Sequence, residues 1–377
     1  MVGSGYMNNV MNVAFITDKN YVIPTAAAIA SLIENNMSFD KLYIYIFCDR
    51  VCPDDIEKLK SMKSGNVKIN VLEVSVSRYE EAYSELYNRT KIHVSPCAML
   101  KFELPLLLPE LDKVLYLDGD IIVNSDLREM YNLDIKDYYL AAVDDIGLMK
   151  NEWSEVHRRR LGIENLEYFN SGVMLLNLKK LREEEMTSKL IEYRTEGIND
   201  FMDQDAFNMC LGKKRLRLPY EYNFQGKILY EVGFEVVNEI LFKNRFQYED
   251  ECISEQKILH YSNNKTKPWL FNMYFFTDVF DVYLSKTPYK GHKFYRKRLE
   301  RVFYEEITKV ELPLFIEKLI NDELDEDYEY DFFKENPDEV VHHLSVCFNV
   351  DELHTLLEVM EKNKKNAEIK SEQIQLL

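Results

Sequence analysis

The chain predicts an α/β fold with a mostly parallel sheet, and three observations carry that prediction. Short apolar, β-rich runs at 12–17, 42–48 and 67–74 alternate with helix-like stretches at 23–33 and 54–62, the pattern of βαβ units. Acidic residues stand where such runs end, at Asp18, Asp49, Asp118 and Asp120. Open α/β sheets bind ligands at the carboxyl ends of their strands. The composition, 46 % hydrophobic and 13 % aromatic over 377 residues, is enough to bury a core and excludes global disorder.

Each element follows from its residues. NVAFIT at 12–17 is a strand that runs into Asp18, and an Ala-rich helix follows at 23–33. LYIYIFC at 42–48 is the second strand, 54–62 has helical spacing, and 67–74 is the third strand. The segment 113–126, KVLYLDGDIIVNSD, places Asp118 and Asp120 between two runs too apolar for the surface. Buried carboxylates there are costly unless paired or bound to a metal. Strands follow at 141–145 and, in YFNSGVMLLNL, at 168–178, which leads into a charged helix from Lys179. DQDAFNMCL at 203–211 reads as a helix start, and ILHYS at 258–262 as a short strand before Lys267-Pro268-Trp269.

Composition divides the chain further. Residues 1–10 read as a flexible leader, 11–285 as the α/β domain, 286–303 as a basic aromatic segment, and 304–377 as an acidic, mainly helical appendage. The net charge is −18, yet 304–377 hold 20 Asp+Glu against 7 Lys+Arg, which leaves only −5 on the rest. The acidic balance argues against nucleic-acid binding, which needs a basic face. Twelve Gly and ten Pro exclude collagen-like and low-complexity classes. Cys48, Cys52, Cys97, Cys210, Cys252 and Cys347 are scattered with no CxxC pair, which argues for buried reduced thiols rather than a disulfide framework or a thiolate zinc site. No run reaches the roughly 18 apolar residues of a membrane span, and no secretory signal is visible. The expected location is the cytoplasm. The segment 286–301, bounded by Lys286 and Arg301, carries seven Lys/Arg and one Glu with interleaved aromatics. It reads either as a solvated face or as a contact with the anionic inner face of a membrane.

The chemistry centres on Asp118-x-Asp120. Two hard oxygen donors this close suit Mn²⁺ or Mg²⁺, which could bridge a diphosphate and neutralise a leaving group. A plain turn built from Asp and Gly is the structural alternative. A DxD after an apolar strand also opens haloacid-dehalogenase-type phosphatases, but Ile122 and the position well inside the chain fit that motif poorly. His260 ends an apolar run and suits a metal, and Lys267 in the polar loop after it suits a phosphate.

Taken in order, AFITDKNY at 14–21, the LKF segment around Lys101, VLYLDGDIIV, YFNSGVMLLNL, DQDAFN and HYSNNKTKPW resemble a family 8 glycosyltransferase, over about residues 11–285. Each motif is weak, but the ordered set is specific. The resemblance implies a GT-A fold, a Rossmann-like mixed sheet flanked by helices, and a retaining transfer of glucose or galactose from a UDP-sugar to a hydroxyl of a glycan or glycoconjugate. It implies that Asp18 and Asn20 contact the nucleotide, that Asp118, Asp120 and His260 hold the metal, with Asp118 also near the ribose, and that Lys267 meets the diphosphate. Asn170 would face the donor sugar, with Asp145 a further sugar contact, and Asp203 and Gln204 would lie beside the anomeric carbon. Lys101 joins the donor site, two positions after Met99, where family members usually carry an arginine. Asn263-Asn264 replace a usual glycine, with one residue inserted before Lys267. An amide oxygen is weakly basic, so Gln204 is a poor nucleophile, and front-face attack is the expected route, with Asp203 holding sugar hydroxyls. A catalytically impaired sugar-nucleotide-binding protein is the alternative, with Met99 in its favour.

Overall fold

The computed structural model describes residues 9–80, 95–145, 152–163, 168–196, 201, 203–226, 233–262, 267–272, 275–294 and 296–298. The leader up to residue 8, the loop 263–266 with its Asn pair, and the acidic appendage lie outside the described residues. Two compact units are distinguished: 1–267 with 274–293, and 268–273 with 294–377. In the second unit, β11 (Phe271–Asn272) pairs in parallel with β12 (Lys297–Arg298).

The first unit is built on a seven-stranded mixed sheet of order β3-β2-β1-β4-β7-β6-β8. Its strands are β1 (Val10–Asp18), β2 (Lys41–Asp49), β3 (Val67–Glu73), β4 (Lys113–Leu117), β6 (Leu140–Asp144), β7 (Phe169–Asn177) and β8 (Arg215–Arg217). Pairing is parallel from β3 through β4, while β7 runs antiparallel to both β4 and β6. A separate three-stranded sheet, β5 (Ile121–Val123), β10 (Ile258–His260) and β9 (Phe224–Gln225), stands beside it. The helices are α1 (Val22–Asn35), α2 (Pro53–Ser61), α3 (Leu100–Leu107), α4 (Arg128–Tyr131), α5 (Glu152–Leu161), α6 (Leu178–Glu183), α7 (Met186–Glu196), α8 (Asp203–Leu211), α9 (Phe234–Phe242), α10 (Glu249–Ser254) and α11 (Phe275–Leu284). Among the described residues no helix is long and apolar enough to cross a membrane.

Burial explains the strand composition. β4 and β7 lie mid-sheet and are buried on both faces, so both read as continuous apolar runs. β3, at the edge, has only Val67 buried and then alternates half-buried with exposed residues. α3 packs on α8 through Phe102 and Phe207, whose rings meet edge to face at 5.0 Å. Both rings are buried, and truncating either to Ala costs on the order of 3–5 kcal/mol.

α1 holds the segment after Asp120. Its small Ala26, Ala27 and Ala28 are buried and permit close approach. Ser31 Oγ accepts from Val123 N at 2.9 Å, and Asn36 Oδ1 accepts from Leu127 N at 2.8 Å. These bonds satisfy backbone donors that β5, a three-residue strand, cannot pair itself. A Cβ on Gly119 would collide with the Thr25 side chain of α1, so glycine lets the turn between the two aspartates approach that helix closely. The five described cysteines are free thiols. Cys48, Cys97 and Cys252 are buried as expected, whereas Cys52 is exposed and Cys210 half-buried. Of the basic segment, Lys286 pairs with Glu34, and Tyr289 donates to Asp55 under the Lys58 ammonium.

Candidate active site

The site forms where β1 and β4 end and β7 begins, against the small sheet. β10 runs antiparallel to β5 with His260 opposite Ile121, so the imidazole stands next to Asp120. Asp118 is tied to β7, its N–H donating to Gly172 O at 2.8 Å. His260 Nε2 lies 3.4 Å from Asp120 Oδ1 and 3.9 Å from Asp118 Oδ2. One ligand atom from each of Asp118, Asp120 and His260 falls within 4.8 Å of the others, the arrangement of a cation site.

Two buried lysines flank this trio. Lys267 Nζ donates to Asp120 Oδ2 and to Tyr261 O, and lies 5.9 Å from the Tyr21 ring centroid. Lys101 Nζ lies 3.1 Å from Asp118 Oδ1 and 2.9 Å from Asp203 Oδ2, above the Tyr116 ring. Burial lowers the Lys101 pKa, but the Asp118 and Asp203 carboxylates more than offset it, so the ammonium holds its proton more tightly than an ordinary lysine. Burial likewise opposes the Asp120 charge, and the Lys267 ammonium, with the His260 ring beside it, outweighs burial and holds that carboxyl well below the usual range. Tyr116 adds a 2.5 Å hydrogen bond to Asp118 Oδ1. Asp118, Asp120 and Asp203 thus meet two ammonium groups, while Asp145 joins the same network through the Asn170 and Gln204 amides.

The N-terminus of α8 supplies the third part. Asn208 clamps it to β7, with Oδ1 accepting from Phe169 N at 2.7 Å and Nδ2 donating to Phe169 O at 2.8 Å. Asp203 Oδ2 also accepts from Ser171 Oγ at 2.9 Å. Gln204 Oε1 accepts from Ser171 N at 3.1 Å, and its Nε2 donates to Asp145 Oδ2 at 3.0 Å. Asp205 is buried beneath, accepting from Tyr168 Oη at 2.6 Å and from Phe201 N at 2.8 Å, with His157 Nε2 2.9 Å away. Asn170 Nδ2 reaches Asp145 Oδ2 at 3.1 Å.

The structure therefore joins Lys101, Asp118, Asp120, Asp145, Asn170, Asp203, Gln204, His260 and Lys267 in one polar network. Asp18 and Asn20 adjoin it through Tyr21 without a hydrogen bond into it. Asp18 Oδ1 accepts from Asn20 N at 2.8 Å and Tyr21 N at 3.2 Å, an Asx turn, and Asn20 is exposed. Met99 is buried at 5 % exposure. Asp49, also at a strand end, is used structurally, by Arg50 and Val76 N.

Gly172 and Asn223 are among the site residues to which the sequence motifs assign no role. Gly172 is the floor: a Cβ there would strike the His260 ring and stand 2.7 Å from Asp118 Oδ2. A glycine inside an otherwise apolar strand marks such a close approach and was a legible signal. Asn223, fully buried, contacts His260 Nδ1 at 2.8 Å. A single Asn between Tyr222 and Phe224 gives no such signal.

The family model described as glycosyl transferase family 8 matches residues 12–273. A lipopolysaccharide 1,2-glucosyltransferase of Escherichia coli K12 is 27 % identical over 293 residues, 74 % of this chain and 79 % of that protein. General stress protein A of Bacillus subtilis is 27 % identical over 289 residues, 74 % of this chain and 95 % of that protein. The chain spans 63 % of a Haemophilus influenzae relative that is 29 % identical over 219 residues. In fold, the chain is similar to galactosyltransferase LgtC, solved with donor and acceptor sugar analogues, at TM-score 0.57 and 20 % identity over 74 % of this chain and 96 % of that one.

Proposed function

The chain belongs to glycosyltransferase family 8, and from that premise we propose that it moves glucose or galactose from a UDP-sugar to a hydroxyl of a glycan, with a divalent metal and retention of configuration. One observation carries the reading. Two carboxylates and an imidazole, Asp118, Asp120 and His260, converge over a glycine floor that a single methyl group would fill. That donor set of two carboxylate oxygens and one imidazole nitrogen suits Mn²⁺ or Mg²⁺.

A bound divalent ion would supply Lewis-acid neutralisation of the departing diphosphate. The chain's own residues do the rest. Lys267, buried against Asp120, is placed to turn its ammonium toward a diphosphate oxygen. Lys101 and Ser171 Oγ both hold Asp203 Oδ2. A carboxylate shared between two donors is a weakened nucleophile, which favours its role in fixing sugar hydroxyls. Both ends of the Gln204 amide are hydrogen-bonded, to Ser171 N and to Asp145. Its oxygen is thereby aimed rather than basic, which supports front-face attack over a covalent intermediate. Asp18 and Asn20, in the loop after β1, are the proposed contacts to uracil and ribose, and Asn170 and Asp145 to the donor sugar. For residues 286–293 of the basic segment, the pairing of Lys286 and Tyr289 with the body of the unit supports a solvated face over membrane contact. The intact network around Gln204 supports catalysis over a binding-only role.

The test is hydrolysis and transfer of UDP-glucose and UDP-galactose with Mn²⁺ and with EDTA. Turnover is expected with Mn²⁺, lost with EDTA, and reduced at least about 100-fold in Asp120→Asn, the scale set by loss of a charge-stabilising group. Any glycoside formed from the α-linked donor is expected to be α. Full turnover in EDTA, or an undiminished Asp120→Asn enzyme, rejects the reading.

A further inference from the structure

We propose that Asn223 is a positioning residue that fixes the tautomer of His260, so that the imidazole presents its Nε2 lone pair to Asp118 and Asp120. The premise is a chain of hydrogen bonds that begins at a backbone donor. Gly172 N–H donates to Asn170 Oδ1 at 2.9 Å. A backbone N–H can only donate, so that side-chain atom of Asn170 is its oxygen. The other end of the same amide, Nδ2, faces Asp145 Oδ2 at 3.1 Å, which agrees with this orientation.

Asn223 Nδ2 donates to the same Asn170 oxygen at 2.9 Å. That contact sets which way the Asn223 amide points, and its Oδ1 then lies 2.8 Å from His260 Nδ1. An amide oxygen only accepts, so Nδ1 carries the hydrogen. In the neutral ring Nε2 is then the acceptor. It faces Asp120 Oδ1 at 3.4 Å and Asp118 Oδ2 at 3.9 Å. Three acceptors pointing at one another are stabilised by a cation, not by each other. The opposite tautomer would place an N–H at the same point and hydrogen-bond Asp120 instead.

The relay is shielded from water: Asn223 is fully buried, His260 is 3 % exposed and Asn170 6 %. Solvent cannot replace the Asn223 oxygen at no cost. Strand register adds to the constraint. β10 pairs in parallel with β9, and Asn223 immediately precedes β9, so the amide and the imidazole approach from neighbouring strands. The relay itself rests only on these hydrogen bonds, and its consequence for a metal rests on the reading of Asp118, Asp120 and His260 given above.

The experiment uses the full chain labelled with ¹⁵N at histidine, with His260 assigned by loss of its signal in His260→Gln. Without metal, long-range ¹H–¹⁵N correlations of the wild-type protein should show the His260 pattern of a hydrogen on Nδ1. In Asn223→Leu the pattern should move toward a hydrogen on Nε2, and the affinity for Mn²⁺ alone, read from the electron paramagnetic resonance of free Mn²⁺, should fall about 10- to 100-fold, the usual loss when the partner of a ligating histidine is removed. A wild-type His260 with its hydrogen on Nε2 overturns the proposal, whether or not Asn223→Leu folds. A folded Asn223→Leu with unchanged tautomer and unchanged Mn²⁺ affinity overturns it too. The Nδ1 pattern in a wild-type protein that binds neither Mn²⁺ nor Mg²⁺ upholds the relay and removes the metal reading instead.

Discussion

Around His260 the site is dry and fixed, whereas the β1–α1 loop is open. Lys101, Asp120, Asp203, Gln204, Asn223 and His260 are all buried and each has a protein partner. Asp18 is half-buried, Asn20 is exposed, and the loop is shaped by one Asx turn. The difference follows from what each side is proposed to handle. A centre that stabilises developing charge works through dipoles and charges already in place, because reorganising them during reaction forfeits their effect. A loop that contacts a neutral base can be shaped by the ligand at small cost.

The largest effect expected from this contrast is at Lys101. Lys101→Met leaves the buried Asp203, and the half-buried Asp118 beside it, without their counterion. Breaking one partner out of a buried ion pair costs about 3–5 kcal/mol, so the thermal melt of the metal-free protein should fall by many degrees. Added Mn²⁺ should restore part of the loss by neutralising Asp118. An unchanged melt would mean that the charged side is no more rigidly specified than the loop.

The same contrast governs what the sequence discloses. α8 lies at 203–211, where DQDAFNMCL reads as a helix start, and the apolar run at 121–123 forms β5. The strand carrying His260 was also readable, although it ends at His260 rather than at Ser262. Its antiparallel pairing with β5 was not, since nothing local to ILHYS names a partner far away in sequence. α3 went unread for a different reason: LKFELPLL is apolar on most sides and has no clear helical period. Within the site, charged and glycine-bearing motifs declared themselves. Asn223 acts through one amide whose neighbours come from β7 and β10, and only the fold brings those together.

A smaller effect is expected at Gly172. Gly172→Ala places a methyl group 2.7 Å from Asp118 Oδ2 and against the His260 ring. Forcing one methyl group into a packed site costs about 1–3 kcal/mol, less than removing a buried charge. Mn²⁺ affinity should weaken more than tenfold, because Asp118 and His260 must both yield. Titration of Mn²⁺ into the variant and the wild-type protein checks this. Equal affinities would show that the floor has slack and that the charged side is less tightly built than its burial implies.

The smallest structural effect belongs to the loop. Asp18→Ala removes the acceptor that Asn20 N and Tyr21 N share, but both donors lie near water that can replace it. Stability should change by no more than about 1 kcal/mol. If Asp18 contacts the nucleotide, the KM for the UDP-sugar should rise about tenfold, equivalent to one charge-assisted hydrogen bond, with kcat nearly unchanged, since the interaction is uniform between ground and transition states. Asp18→Asn separates the two roles. Its amide oxygen keeps the turn but not the charge, so a donor KM close to that of Asp18→Ala assigns the effect to ligand contact, while a wild-type KM assigns it to loop shape. A loss of kcat in both variants, with KM unchanged, would place Asp18 with the fixed machinery around His260 and abolish the distinction between the two sides.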